Sequence, residues 1–393
     1  MDVLISGASI AGPALAYWLR RHGHQVTIVE VAPALRTGGN AVDFRGELHL
    51  GILRQMGVLD TLRARQTGGT AMRFEDRDGR KLMEMPADFA GGDIEMQRGE
   101  LAQVLVAAAD CEMRYGDSIV TLAETATGVD VTFRSGHRQT YDPVIGADGV
   151  HSTVRRLTFG PEERFVKHLG YYVGGWATAS TDRTWHAFNA PGRLMSVNAD
   201  GAFVAFRSPA LDYDRKDKAA QKRIITERFR DLDWRLTGEL LGTLEAADDF
   251  YFDQICRVDV PHWSRGRIAL VGDAASGATI GGQGCGTAVV QAYVLAGELA
   301  TAPDHRTAFA SYERLVRGFA RRTQKGGDTA GRFLAPRRGY GIRLRNTLHN
   351  QPWFMRMMMA IADDRSTKLT LPDYSAARSS ADSSASDGTT RAA

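Results

Sequence analysis

Gly7-Ala8-Ser9-Ile10-Ala11-Gly12 separates two apolar segments near the start of the chain, and its residue types and spacing suit the holding of a pyrophosphate. Gly7 permits a tight turn, Ser9 stands where the backbone must approach phosphate oxygens, and Gly12 lets a helix pack close to the preceding strand. A helix opening at this point presents unpaired N–H groups and a positive dipole end. Glu30, closing the next apolar run, can accept hydrogen bonds from ribose hydroxyls, which selects against a 2′-phosphate. The middle glycine of G-x-G-x-x-G is replaced by Ser9, which is still small. The same residues nearly spell the G-x-S-x-G elbow of a hydrolase. That elbow normally follows several strands, however, and needs neither Gly12 nor Glu30.

Two later constellations share this logic. Gly146-Ala147-Asp148-Gly149-Val150-His151-Ser152 combines a strand end, a D-G turn and a helix start. Gly272-Asp273-Ala274-Ala275 ends another apolar strand and is followed by the cluster Gly281-Gly282-Gln283-Gly284-Cys285-Gly286. An acid at the C-terminal end of a strand in an α/β sheet points into the ligand crevice. Glycines ahead of a helix offer N–H donors to an anionic oxygen.

The elements that must position these residues are legible as alternating strands and helices. Asp2 to Ser6 and Gln25 to Val29 read as strands around a helix from Pro13 to His22. Leu48 to Met56 and Gly99 to Ala109 have helical periodicity. Ala71 to Glu75 and Lys81 to Met85 read as a hairpin around Asp78-Gly79, and Ile119 to Tyr141 as a meander of three short strands. From about Phe165 to Val260 the sequence becomes rich in aromatic residues, with Tyr171, Tyr172, Trp176, Phe203 and Phe206 among them. Such a face is either core or the wall of a pocket for a flat apolar ligand. Arg267 to Val271 returns as a buried strand, and Thr287 to Leu299 reads as a helix. The stretch after Asp304 is basic and helical. Arg343 to Met359 reads as a C-terminal helix, either packed on the rest with Trp353 bordering the substrate or lying on a membrane surface.

Composition narrows the function classes. The 393 residues suit two or three interleaved subdomains, and 43% are apolar, enough for a sizeable core. A net charge of +3 is too mild to argue for nucleic acid. Cys111, Cys256 and Cys285 have no paired spacing, which suits a reducing cytoplasm and argues against a disulfide framework or a zinc site. No apolar run reaches membrane-spanning length, and the first strand begins at Asp2, so a cytoplasmic protein without a leader is expected. The scattered histidines give no metal motif, and no Ser-His-Asp set is present.

Taken together, the three motifs resemble those of the single-component (group A) FAD-dependent aromatic monooxygenases of the p-hydroxybenzoate hydroxylase type. Within these the chain is similar to the tetracycline-modifying monooxygenases and related enzymes of aromatic polyketide pathways. Order and spacing match up to about Leu299. The resemblance implies an α/β fold: a Rossmann-like, GR2-type FAD-binding domain with an inserted mixed β-sheet substrate domain and a C-terminal helical segment. The expected division is 1–68, 96–165 and 261–300 for FAD, 69–95 and 166–260 for substrate, 301–374 for the C-terminal helices, and a disordered tail over 375–393.

It also implies roles. Gly7, Ser9, Ile10, Ala11 and Gly12 would cradle the FAD pyrophosphate, and Glu30 the adenosine ribose. Asp273 would meet the ribityl chain or its pyrophosphate neighbourhood, or else cap a helix. Asp148 belongs to the D-G motif that serves the cofactor. Gly284, Cys285 and Gly286 would face the flavin pyrimidine ring, where negative charge gathers on reduction. Arg98 and Asp43 match cofactor-contacting positions, and Arg36 a position tied to the nicotinamide reductant. Arg36 and Arg98 would otherwise be solvated surface charges. Arg45 is the candidate catalytic group, a cation to stabilise a substrate phenolate, or else another surface charge. The implied activity is NAD(P)H-dependent hydroxylation or epoxidation of an aromatic or polycyclic molecule through a flavin C4a-hydroperoxide, in secondary metabolism or antibiotic modification. FAD would be non-covalent, NADPH or NADH a transient reductant, molecular oxygen the co-substrate, and the protein a monomer or weak homodimer. A flavin-dependent reductase of a polyprenyl or polyketide substrate, or a flavoprotein that shields an intermediate, are the alternatives. The chain departs from the family's pattern at Ser276 to Ile280, where the usual proline is missing, and at Thr287, where an asparagine is common.

Overall fold

A computed structural model describes residues 1–375 except 36, 37, 40, 88–91, 281, 282 and 368, and leaves aside the side chains of 359 and 361–367. Arg36 and the expected tail beyond Ser375 therefore lie outside the described residues.

Strand β1 (Asp2–Ser6), helix α1 (Ala11–Arg21) and strand β2 (Gln25–Glu30) begin the fold. They enter a six-stranded sheet of order β17-β18-β11-β1-β2-β7. Its other strands are β7 (Glu112–Tyr115), β11 (Val144–Gly146), β17 (Ser264–Arg265) and β18 (Ile268–Leu270). All pairings are parallel except that of β17 with β18. Val3, Leu4 and Ile5 are fully buried, as a parallel strand covered on both faces requires. Helix α1 packs on this sheet beside α9 (Gly284–Thr301), with the Trp18 and Tyr293 rings edge to face at 5.0 Å. Helix α4 (Arg98–Ala109) lies on the other side of α1. Strands β8 (Ile119–Glu124), β9 (Val129–Phe133) and β10 (Arg138–Tyr141) form the expected meander.

A second, seven-stranded sheet runs β16-β12-β15-β14-β13-β4-β5. It combines the hairpin β4 (Met72–Glu75) and β5 (Lys81–Met85) with β12 (Val166–Trp176), β13 (Trp185–Ala190), β14 (Arg193–Asn198), β15 (Gly201–Arg207) and β16 (Phe250–Val258). The hairpin joins in parallel through β4 and β13. Buried Glu75 helps to hold this join, pairing with His186 at 2.5 Å and with Arg235 at 3.1 Å.

The aromatic residues of this sheet divide by strand alternation. Tyr172, Trp176 and Phe206 face outward into a core closed by α6 (Lys218–Phe229) and α7 (Thr237–Ala246). There Tyr172 stacks on Phe206 at 5.7 Å and on Phe252 at 5.4 Å. Tyr171, Val173, Leu194, Ala205 and Ile255 face inward, against Phe333 and Leu334 of α10 (His305–Leu334). Hence the outward rings are core, and only inward ones can border a ligand.

The expected single C-terminal helix is two, α11 (Gly339–His349) and α12 (Pro352–Thr367). Pro352 disfavours helical backbone at Gln351 and supplies a pre-set first turn for the next helix. Arg345 anchors α11 to the inner sheet face. It donates to the Phe333 carbonyl at 2.8 Å and to Asn189 at 2.7 Å, and lies 4.2 Å over the Phe74 ring. Burial pushes its guanidinium down to about 10. Trp353, expected near the substrate, is 56% exposed. The last described residues return to the first sheet: Tyr374 donates to Glu298 at 2.7 Å, and Tyr293 to the Pro372 carbonyl at 3.0 Å. None of the described helices is long and apolar enough to cross a membrane.

Candidate functional site

The turn after β1 is built on two glycines that accept no side chain. Gly7 adopts φ +108°, and a Cβ there would stand 2.5 Å from the Ala147 carbonyl oxygen. A Cβ on Gly12 would collide with the Gly7 carbonyl oxygen. No side chain caps α1, so its first-turn N–H groups at Ala11 and Gly12 remain available to an anion. Glu30 braces the turn from β2, accepting from Ala8 N–H and Ala32 N–H, both at 2.9 Å. A carboxylate has roughly four acceptor sites, so capacity remains for ribose hydroxyls. Arg98, exposed at the start of α4, donates to the Ser9 hydroxyl at 3.3 Å.

The third motif converges on the same place. Gly272, at φ +64°, turns the chain from β18 into the short helix α8 (Asp273–Ser276). Asp273 makes no capping bond, and its half-buried carboxylate has no hydrogen-bond partner among the described residues. Burial raises its carboxyl above the usual range, against the pull of the Arg98 charge. A Cβ on Gly284 would lie 3.3 Å from the Asp273 carboxylate, so the acid stands beside the start of α9. That helix opens from Gln283 in left-handed backbone and also lacks a side-chain cap. Burial pushes the Cys285 thiol up to about 12, so it is no nucleophile at neutral pH.

Other expected site residues have protein partners. Asp148 accepts from Thr153 N–H at 2.8 Å, from Val154 N–H at 3.1 Å and from the Ser152 hydroxyl. Its carboxylate thus organises the start of α5 (Thr153–Phe159) and faces inward from the D-G turn. Burial raises its carboxyl despite these bonds. Asp43 lies on β3 (Ala41–Phe44), which pairs with β6 (Ile94–Gln97). Its carboxylate meets Arg45 at 2.6 Å, so the Arg45 charge is compensated.

Three residues have roles that the sequence reading does not assign. His49, in α2 (Gly46–Gln55), is almost fully buried, and its ring occupies the space where a Cβ on Gly286 would stand. Its Nδ1 accepts from Arg45 N–H at 3.3 Å and Nε2 lacks a partner among the described residues; burial lowers the imidazole to about 4, keeping it neutral. His151, after the D-G turn, bridges Glu162 and Asp253 of β16, each at 3.0 Å. Arg215 closes this cluster on Glu162, also at 3.0 Å. Burial opposes the His151 charge, but the bonds to Asp253 and Glu162 prevail and raise it to about 9. Tyr251, inward on β16, is 40% exposed, and the charges of Arg98 and Asp273 reach its hydroxyl. An aromatic ring from the second sheet therefore lies within electrostatic range of two residues of the cradle. No local pattern announces any of the three, because each depends on a neighbour remote in sequence.

The cradle fits FAD. It offers two uncapped helix starts, an acid at the end of β2 with acceptor capacity to spare, an acid beside a glycine-rich helix with no partner among the described residues, and closely approachable backbone. Comparison with known proteins gives the same answer. Residues 1–323 match the family described as FAD binding domain. A flavin-dependent monooxygenase of Legionella longbeachae serogroup 1 (strain NSW150) is 34% identical over 390 residues, covering 95% of this chain and 98% of the relative. An uncharacterised protein of Mycobacterium tuberculosis (strain ATCC 25618 / H37Rv) is 40% identical over 341 residues, covering 82% and 91%. The crystal structure of tetracycline destructase Tet(55) superposes with a TM-score of 0.81 at 34% identity, covering 95% of this chain and 98% of that one. The chain belongs to the FAD-binding-domain family of flavoproteins and is an FAD-dependent monooxygenase.

Proposed function

We propose that the enzyme takes two electrons from NADPH or NADH and inserts one oxygen atom of O2 into an electron-rich aromatic or polycyclic molecule, the other atom being reduced to water. The observation that carries this reading is the half-exposed Tyr251 ring, inward on the second sheet and within reach of the Arg98 and Asp273 charges. A planar apolar substrate has a place there, between sheet and cofactor. Similarity to tetracycline destructase Tet(55) supports a polycyclic substrate and a part in antibiotic modification. FAD would supply electron transfer and oxygen activation.

The chain's own residues would bind and orient. The Gly7–Gly12 turn and the start of α1 would hold the diphosphate, Glu30 a ribose, and Asp273 the hydroxyls of the ribityl chain. Gly284, Cys285 and Gly286 would turn the positive end of α9 toward charge gathering on the ring system. Arg98 and Asp43 would border the cofactor, and Arg45 would act on substrate charge as part of its pair with Asp43. Asp148 would serve indirectly, by fixing the D-G turn. Arg36 is proposed for the nicotinamide reductant. The sheet's inner face would exclude water from the reacting atoms.

The test is an oxygen electrode with a panel of polycyclic phenols, a tetracycline included. Oxygen uptake and NAD(P)H oxidation should rise together on adding substrate, with one oxygen gained in the product by mass spectrometry. A product gaining two hydrogens without oxygen uptake would show a reductase. The cofactor half has its own check. Asp273→Ala should lose one charge-assisted hydrogen bond, on the order of 1.5–3 kcal/mol. FAD dissociation should weaken by about 10- to 150-fold by fluorescence titration, with the far-UV dichroism unchanged. Unaltered FAD affinity would remove Asp273 from the cradle.

A further inference from the structure

We propose that a planar ring of the substrate inserts between Tyr251 and Phe203, above Gly175, on the inner face of the seven-stranded sheet. This rests on the aromatic-substrate reading and assigns the place where the ring is held.

Strand register makes the slot. Tyr251 of β16 stands opposite Gly175 of β12, and Gly175 opposite Phe203 of β15. The three thus form one row across the sheet, with side chains on one face. That face is the inner one: Phe203 packs with Tyr171, Val173, Ala205 and Ile255. Neighbouring strands lie about 4.8 Å apart, so the two ring-bearing backbones are separated by about 10 Å. Between them the sheet carries no side chain, because the middle residue is glycine. Walls that far apart would take one flat ring between them, each at aromatic contact distance.

Exposure singles out this row. Tyr251 is 40% exposed and Phe203 and Gly175 are half-buried, whereas Asp253 and Ile255, further along β16 on the same face, are buried. Phe203 continues to Ser196 of β14 and Ala187 of β13, so small residues extend the row beyond it. The outward rings Tyr172, Trp176 and Phe206 are excluded, since α6 and α7 already cover them. Tyr251 also has a position toward the cofactor residues. Protein atoms crowding its hydroxyl and the Asp253 charge raise its phenol, although part of the ring is exposed, while the Arg98 charge acts to lower it. A ring in the slot would therefore lie beside the cradle.

The experiment measures binding without turnover. Oxidised holoenzyme is titrated with a fluorescent planar tricyclic phenol, and the dissociation constant is read from ligand quenching. Tyr251→Ala and Phe203→Leu should each weaken binding by about 10- to 100-fold, the range expected for a lost stacking partner. Tyr251→Phe should stay within about threefold of the parent, because the ring and not the hydroxyl forms the wall. Flavin content should be unchanged in all three. If the parent binds and oxygenates the phenol while Tyr251→Ala and Phe203→Leu bind it equally well, the slot is overturned and the proposed function stands. If the parent gains no oxygen in any aromatic product, the proposed function falls and the slot with it.

Discussion

Gly12→Leu protein should leave its final column colourless, folded but without flavin. A side chain at this position begins with a Cβ that strikes the Gly7 carbonyl oxygen and comes within 3.3 Å of the Ile5 side chain. Neither neighbour can yield: Gly7 is fixed by its own turn, and Ile5 is fully buried in the central strand. Helix α1 must therefore move away from β1, carrying its first N–H groups from the diphosphate. Overpacking of this kind costs on the order of 1–3 kcal/mol, and the displaced donors add to it. FAD affinity should fall by more than about 100-fold. The ratio of flavin to protein absorbance, with far-UV dichroism as the folding control, reads the result. A yellow Gly12→Leu protein with parental affinity would mean that the diphosphate lies elsewhere.

The second large effect is on pH. His151 is held charged between Glu162 and Asp253, with its pKa raised to about 9. In the unfolded chain the imidazole titrates near about 6.5. A group whose folded pKa is raised stabilises fully below the unfolded value, and that contribution disappears as pH climbs through the folded one. Stability should therefore decline between about pH 6.5 and 9. Allowing for the partial exposure of the ring, the loss is on the order of 2 kcal/mol. Denaturant midpoints at about pH 6 and pH 9.5 should differ accordingly in the parent and much less in His151→Gln. Equal slopes in both proteins would show that the cluster does not carry the charge assigned to it. Because His151 follows the D-G turn of one sheet and Asp253 belongs to the other, the bond that loosens is one joining the two.

The parts legible in the sequence were those whose physics is local. Turn, helix and strand from Asp2 to Glu30 are specified by neighbours within one βαβ unit, and they stand where their residue types place them. Asp273 and Gly284 come together because a strand end and a helix start feed one crevice. Sidedness was harder. Tyr171 and Tyr172 are adjacent and chemically alike, yet one faces α10 and the other the outer helices. Composition alone cannot separate them, and alternation does so only when one face is known. The union of β4 with β13 spans more than a hundred residues and leaves no local trace. Arg45 illustrates a further limit: its charge is plain in the sequence, whereas its neutralisation by Asp43 depends on how β3 enters α2. His49 and Tyr251 gain their meaning from Gly286 and from Arg98 and Asp273, which only folding brings near.

Tyr374 packs against Tyr293 at 5.3 Å, and Tyr293 against Trp18 at 5.0 Å. Rings from the first helix and from the far end of the described residues thus share one stack, seated where Gly297 leaves room. A polypeptide emerging from the ribosome makes Trp18 long before Tyr374. Until then the hollow filled by Leu369, Leu371 and Tyr374 stays open to water beside an otherwise finished core. A nascent chain that has completed the first sheet but not yet reached Tyr374 therefore carries an uncovered apolar surface, the kind through which incompletely folded chains associate.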